Sequence, residues 1–128
     1  MRSPTYCKRL FTVGALWNWG MAALLLGLAA FSLEGLSWFL NDIPENIMWF
    51  HICMGLVAIF GLAYYWVAQD VRRNRDIIKM GVLGKTLVVV LIVPAWYAGQ
   101  VTTLGAAAAT VDFVFTVLFV DVLLNTPA

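Results

Sequence analysis

Three polar side chains stand inside long apolar runs of the sequence: Asn18, Lys85 and Asp112. Such groups are costly in hydrocarbon and mark ion or substrate pathways, so they are the first candidates for function. Counted at about 1.5 Å per residue from the basic ends of their runs, they lie about 12, 10 and 18 Å deep, and Tyr65 about 6 to 8 Å deep. Because the Lys stem is long and flexible, we expect these four residues to form one intramembrane polar cluster. Its Lys85–Asp112 pair is either a structural ion pair or a proton or cation site.

Helical phase separates Asp112 from the other aspartate of the same run, Asp121. They are nine residues apart, and at about 100° per residue they point to opposite faces of a helix. Asp112 shares its face with Gly105, Ala109 and Thr116, small and polar residues that let membrane helices approach closely. We therefore expect Asp112 to face the bundle and Asp121 to contact lipid headgroups or a partner chain.

Other residues of chemical interest predict no metal site, cofactor or catalytic group. His51 and Cys53 are two residues apart, so they point to different helix faces and cannot form a metal site alone. Cys7 lies toward the opposite membrane surface from Cys53, too far for a disulfide. The segment from Gly81 to Thr86 ends like a phosphate-binding loop, but it lacks the first glycine and a preceding strand.

The composition places these residues in a membrane. The 128 residues are 62% hydrophobic and only 12% charged, whereas ordinary soluble domains are about 25% charged. Four apolar runs of roughly 20 residues use up the chain. We predict an all-α integral membrane four-helix bundle, a single domain over residues 1–128. The predicted spans are about residues 10–31, 47–67, 78–98 and 104–124.

The charges predict the orientation. All eight basic residues fall at one end of this scheme, whereas the only charged residues of the long loop, residues 32–46, are acidic. By the positive-inside rule, both termini and the middle loop are cytoplasmic. The basic residues are committed to topology, so no nucleic-acid partner is expected. They are Arg2, Lys8, Arg9, Arg72, Arg73, Arg75, Lys79 and Lys85.

The connections and the aromatic residues add detail. We expect a short interfacial helix within the long loop, and Pro44 near the first position of the second helix. Residues 99–103 are a short loop, which requires spans three and four to form a tight hairpin. Trp17 and Trp19 lie too deep for the interfacial aromatic belt, so they pack inside the bundle or line a cavity.

Several short motifs resemble a group of small bacterial membrane proteins. The motifs are Gly61-Leu-Ala-Tyr64-Tyr65, Arg72-Arg73-Asn74-Arg75, Gly81-x-x-Gly84-Lys85, and Asp112 followed by Leu118-Phe119. In these the chain is similar to uncharacterised four-helix proteins that are loosely DoxX-like. The resemblance implies a four-helix bundle in a bacterial inner membrane.

These observations leave three functional hypotheses. The first is a non-enzymatic accessory or scaffold subunit that uses Asp121 against a membrane-protein partner. The second is a small homo-oligomeric transporter coupled to protons or cations through Lys85 and Asp112. The third is a lipid- or quinone-binding membrane protein that uses the region of Trp17, Asn18 and Tyr65.

The predicted orientation can be tested directly with reporter fusions. A reporter that works only in the cytoplasm should be active when it is fused to either terminus, because the basic residues all lie at that end of the molecule. A fusion of the same reporter in the long loop, after Asp42, is the matched control and should be inactive, because that loop is predicted to lie on the opposite side of the membrane. Labelling of either terminus from outside intact cells would contradict the topology.

Overall fold

The chain is all-α in a computed structural model that describes residues 1–127. Each of its four α-helices is long and apolar enough to cross a membrane, which confirms the predicted fold at this level. The helices are α1 Pro4–Phe31, α2 Ile47–Gln69, α3 Arg75–Tyr97 and α4 Thr103–Asn125, and a 3-10 helix, Leu33–Trp38, follows α1.

Polar side chains cap the starts of α1 and α2. The Ser3 side chain accepts a hydrogen bond from the backbone N–H of Tyr6, so α1 begins at Pro4, well before the predicted span. The Asn46 side chain accepts from the N–H of Met48, and α2 begins at the following residue. Both are standard N-caps, which satisfy backbone donors that lack a helical partner. The prediction that Pro44 lies near the first position of α2 is therefore wrong, because Pro44 precedes the N-cap residue Asn46.

The helices pack as two antiparallel pairs, α1 with α2 and α3 with α4, and α2 meets α3 over a smaller area. We call the half of the bundle that holds both termini and residues 70–74 the terminal half, and the half that holds residues 32–46 and 98–102 the loop half. In the terminal half, Phe11 stacks on Phe119 with ring centroids 4.6 Å apart, and Tyr64 meets Phe119 edge-on at 5.1 Å. These three rings are almost fully buried and close the terminal half.

Two glycines allow this close packing. A Cβ atom at Gly81 of α3 would lie 2.7 Å from Cε1 of Tyr64, and one at Gly61 of α2 would lie 2.5 Å from Nε1 of Trp19. Real side-chain atoms do not approach so closely, and small residues at helix interfaces are typical of membrane bundles. The glycines thus let the Tyr64 ring lie close to the backbone of α3 and the Trp19 ring close to the backbone of α2.

In the loop half, the long loop folds over the short loop between α3 and α4. Thr102 donates its hydroxyl to the carbonyl of Trp38 at 2.6 Å and its N–H to the carbonyl of Phe39 at 3.0 Å. The Asn41 N–H donates to the carbonyl of Gln100 at 2.9 Å. The long loop therefore covers the loop end of the bundle. Gly105, in the first turn of α4, lies directly beneath the Phe39 carbonyl.

Gly105→Ala should displace the long loop, because the new Cβ would overlap the backbone carbonyl of Phe39 and the side chain of Val101. We expect a loss of about 1 to 3 kcal/mol in stability, the usual range for overpacking. Gly27→Ala, in α1, is the control, since its Cβ would meet no atom within 4 Å. It should be neutral, or stabilising by about 0.5 to 1 kcal/mol through helix propensity. Thermal unfolding in mild detergent measures both, and equal effects would show that the loop does not press on α4.

Candidate functional site

A chain of three hydrogen bonds connects the four helices at the middle of the bundle. The Lys85 ammonium of α3 donates to Asp112 Oδ1 of α4 at 2.5 Å and to Asn18 Oδ1 of α1 at 3.1 Å. The Asn18 amide, Nδ2, donates in turn to the carbonyl of Val57 in α2 at 3.1 Å. Each helix thus contributes one polar group, and we call Asn18, Lys85 and Asp112 the polar cluster.

Asn18 and Lys85 are buried, Asp112 is partly buried, and the two charges compensate each other. The exposed fraction of the side chain is 5% for Lys85 and 18% for Asp112. The ammonium also lies 5.4 Å from the ring centroid of Tyr64 and 5.2 Å from that of Phe115, so both rings stabilise it through cation–π attraction. Because a buried charge is tolerated only when it is paired and hydrogen-bonded, each partner depends on the other.

The predicted fourth member, Tyr65, lies outside the polar cluster. Its side chain is 44% exposed, and its ring contacts Trp19 at 6.1 Å between centroids. The neighbouring Tyr64 is 1% exposed and takes the inward position. Successive residues on a helix are turned by about 100°, and the inward face of α2 runs through Gly61, Tyr64 and Ala68. Gly61 and Ala68 lie equally close in helical phase to Tyr64 and to Tyr65, so the sequence alone did not identify which tyrosine faces inward.

Asp121 has a donor within its own chain, so the argument for a donor on a partner chain fails. The Arg2 guanidinium donates to both carboxylate oxygens of Asp121 at 2.7 Å, from Nε and Nη2. The Asn125 side chain adds a third hydrogen bond at 3.0 Å. The carboxylate also raises the pKa of the Arg2 guanidinium, chiefly through the hydrogen bond. Arg2 precedes α1, so helical phase gave no indication that it would reach α4.

The polar cluster forms the inner end of a cavity of about 430 Å³ in the loop half. Its volume lies within the range of small-molecule sites, roughly 300 to 1,000 Å³. The walls are apolar and aromatic, and the long loop and Val101 cover its loop end. They include Trp17, Met21, Leu25, Phe39, Leu40, Phe50, Met54, Val57, Phe60, Val88, Ile92, Val101 and Ala109. Trp17 therefore lines a cavity, whereas Trp19 packs on α2 and donates to the carbonyl of Ala58 at 3.1 Å.

The cavity opens sideways between α2 and α3. Leu56 of α2 and Leu91 of α3 both line it and are 54% and 60% exposed. On the terminal side, Tyr64 and the aromatic rings behind it close the bundle. The exposed part of the cavity lining therefore lies on α2 and α3, on the apolar side surface of the loop half.

The polar cluster keeps unused hydrogen-bonding capacity toward the cavity. An ammonium has three N–H donors, and Lys85 uses two of them on oxygen acceptors. The second oxygen of Asp112, Oδ2, accepts no hydrogen bond from the residues that the structure describes. The inner end of the cavity can thus offer one hydrogen-bond donor and one acceptor to an occupant. The Lys85–Asp112 pair that supplies them carries no net charge.

The remaining reactive side chains stand apart from the polar cluster. Cys7 is buried in the terminal half, Cys53 is exposed at the cavity mouth, and both are free thiols. His51 is exposed near the start of α2. Across residues 1–127, no group of three His, Cys, Asp or Glu side chains lies close enough to hold a metal ion.

Comparison of the chain with protein-family models, curated proteins and solved structures finds no match. The resemblance to DoxX-like proteins therefore stays a prediction.

Removing either member of the central ion pair should be more damaging than removing both. Lys85→Met or Asp112→Leu leaves an uncompensated buried charge and should cost about 3 to 5 kcal/mol, whereas the double variant should cost much less. Unfolding of the four proteins in mild detergent gives the coupling energy.

A second cycle on Asp76 and Lys79 is the matched control. Their ion pair has the same chemistry at 2.7 Å, but the side chains are 92% and 60% exposed. Solvent screening should leave little or no coupling there. Additive losses at Lys85 and Asp112 would show that the buried pair does not act as a unit.

Proposed function

We propose that this chain is a non-enzymatic, multi-pass protein of the bacterial inner membrane that binds a lipid-soluble molecule with an uncharged, hydrogen-bonding head group. In this proposal both termini lie in the cytoplasm, as the distribution of basic residues predicts. The observation that carries the proposal is the cavity of about 430 Å³, which is apolar along its walls, polar only at its inner end and lined on one side by the exposed residues Leu56 and Leu91.

The polar cluster defines the head group. Lys85 and Asp112 neutralise each other, so a charged head would leave the cavity with a net buried charge, which is unfavourable. A carbonyl oxygen can accept the third N–H of Lys85, and a hydroxyl can donate to Asp112 Oδ2. Quinones and quinols carry these two groups on a flat apolar ring, and Trp17 and Phe60 supply aromatic walls for such a ring. An alkyl or isoprenoid tail can leave between α2 and α3.

Two alternative functions have less support. A transporter must expose its site to both sides in turn, and the rings of Phe11, Tyr64 and Phe119 close the terminal half behind the polar cluster. The accessory-subunit hypothesis rested on an Asp121 without a donor, and Arg2 supplies that donor. An accessory role stays a prediction. A stoichiometric heterocomplex in native mass spectrometry would favour it over binding by this chain alone.

Binding can be tested with two probes that differ only in the head. One molecule of decyl-1,4-benzoquinone should bind per chain in mild detergent, and decylbenzene should bind about 10- to 100-fold more weakly, because it cannot accept from the Lys85 ammonium. Native mass spectrometry across a concentration series measures both affinities. Equal affinities would show that the polar end of the cavity recognises nothing.

Paired variants locate the binding. The double variant Lys85→Met with Asp112→Leu removes the head-group contacts without leaving a buried charge, and it should bind the two probes alike. The double variant Asp76→Asn with Lys79→Met removes an exposed ion pair and should keep the preference for the quinone. Preference for the quinone in both variants would contradict the proposed site.

A further inference from the structure

A second cavity, at the opposite end of the molecule, has the chemistry of an anionic headgroup site. It has a volume of about 710 Å³ and lies between the first three turns of α1 and the end of α2. We call it the basic groove. Its charged lining consists of Arg2, Lys8, Arg9 and Arg72 against one carboxylate, Asp70.

Most of this positive charge is available to a ligand. Among the residues described, Lys8, Arg9 and Arg72 have no carboxylate within ion-pair distance, and only Arg2 is committed, to Asp121. Within residues 1–127, the only side-chain partner of Arg72 is the Met1 sulfur, at 3.6 Å. The Asp70 carboxylate accepts from the backbone N–H of Arg73 at 3.0 Å, which fixes it in the turn after α2.

The floor of the groove is apolar and runs into the hydrocarbon. Cys7 and Ala68 form it, with exposed fractions of 1% and 4%. Val13 lines the groove one to two turns deeper on α1 and is 55% exposed, and Leu16, on the same side of α1, is 60% exposed. The groove thus places cations at the membrane boundary and leads from them along an apolar helix face. An acyl chain can lie on that face.

We infer that the basic groove binds an anionic phospholipid, with the phosphate between α1 and the loop after α2 and one acyl chain along the exposed face of α1. Charge complementarity is the reason. Clustered Lys and Arg next to a membrane helix attract anionic lipid. A zwitterionic lipid of the same chain length gains little from these cations. This site is separate from the loop-half cavity, so either one can exist without the other.

The test compares retained lipid in native mass spectrometry. The purified chain is exchanged into micelles with equal amounts of phosphatidylglycerol and phosphatidylcholine of identical acyl chains. We expect preferential retention of one phosphatidylglycerol. The double variant Lys8→Gln with Arg72→Gln should lower that preference about 10- to 30-fold, because two cations are lost from the groove.

A matched variant separates a site from general surface charge. Arg73→Gln with Lys79→Gln removes the same charge from the same end of the molecule, but neither residue lines the groove. It should leave the preference within about twofold of the parent, since only cations that touch the headgroup contribute fully. Equal losses in the two variants, or equal retention of the two lipids by the parent, would overturn the inference.

A competition with inorganic phosphate tests whether the groove binds a free anion instead of a lipid. If the groove is built for a free anion, millimolar phosphate should displace the retained phosphatidylglycerol, and the parent should bind phosphate in lipid-free micelles. That result would also overturn the inference. Retention that survives phosphate supports it, because the acyl chain then contributes to binding.

Discussion

Charge compensation inside hydrocarbon is the constraint on which this structure depends. Lys85 cannot stand alone in the middle of a membrane helix, and its ammonium meets Asp112 and Asn18 together. Because Asn18 also donates to the carbonyl of Val57, one continuous set of hydrogen bonds joins all four helices. In lipid, helices gain little from burying apolar surface against each other, so packing and polar contacts determine their association. The polar cluster therefore fixes the relative depth of the four helices.

The two halves of the bundle on either side of this cluster differ in packing. The terminal half is filled by aromatic rings that lie against glycines, such as Tyr64 against Gly81. The loop half keeps a cavity that is lined by all four helices, and the long loop covers its end instead of filling it. The ion pair consequently has one closed side and one accessible side. This asymmetry supports ligand binding better than passage across the membrane.

The sequence predicted the features that depend on local pattern and missed those that depend on how helices meet. Hydropathy predicts the four helices, and depth with helical phase predicts that Lys85, Asp112 and Asn18 come together. The same reasoning chose Tyr65 over Tyr64, since adjacent residues differ by only about 100° and both faces of α2 are apolar. The contact of Arg2 with α4 depends on the path of the chain before α1. The cavity depends on how far apart the four helices pack, which no periodicity encodes.

The combination of an ion pair and a cavity constrains what can occupy the site. A buried ion pair is about as stable as a well-packed apolar substitute, so stability alone does not explain why Lys85 and Asp112 stand there. An acyl chain from the membrane can fill the apolar walls. It cannot accept the third N–H of Lys85 or donate to Asp112 Oδ2, and an unmet hydrogen bond at a buried charge is unfavourable. An apolar occupant with a carbonyl or hydroxyl group can contact the apolar walls and also form hydrogen bonds with Lys85 and Asp112. For this reason the geometry favours an amphiphilic ligand over plain lipid hydrocarbon.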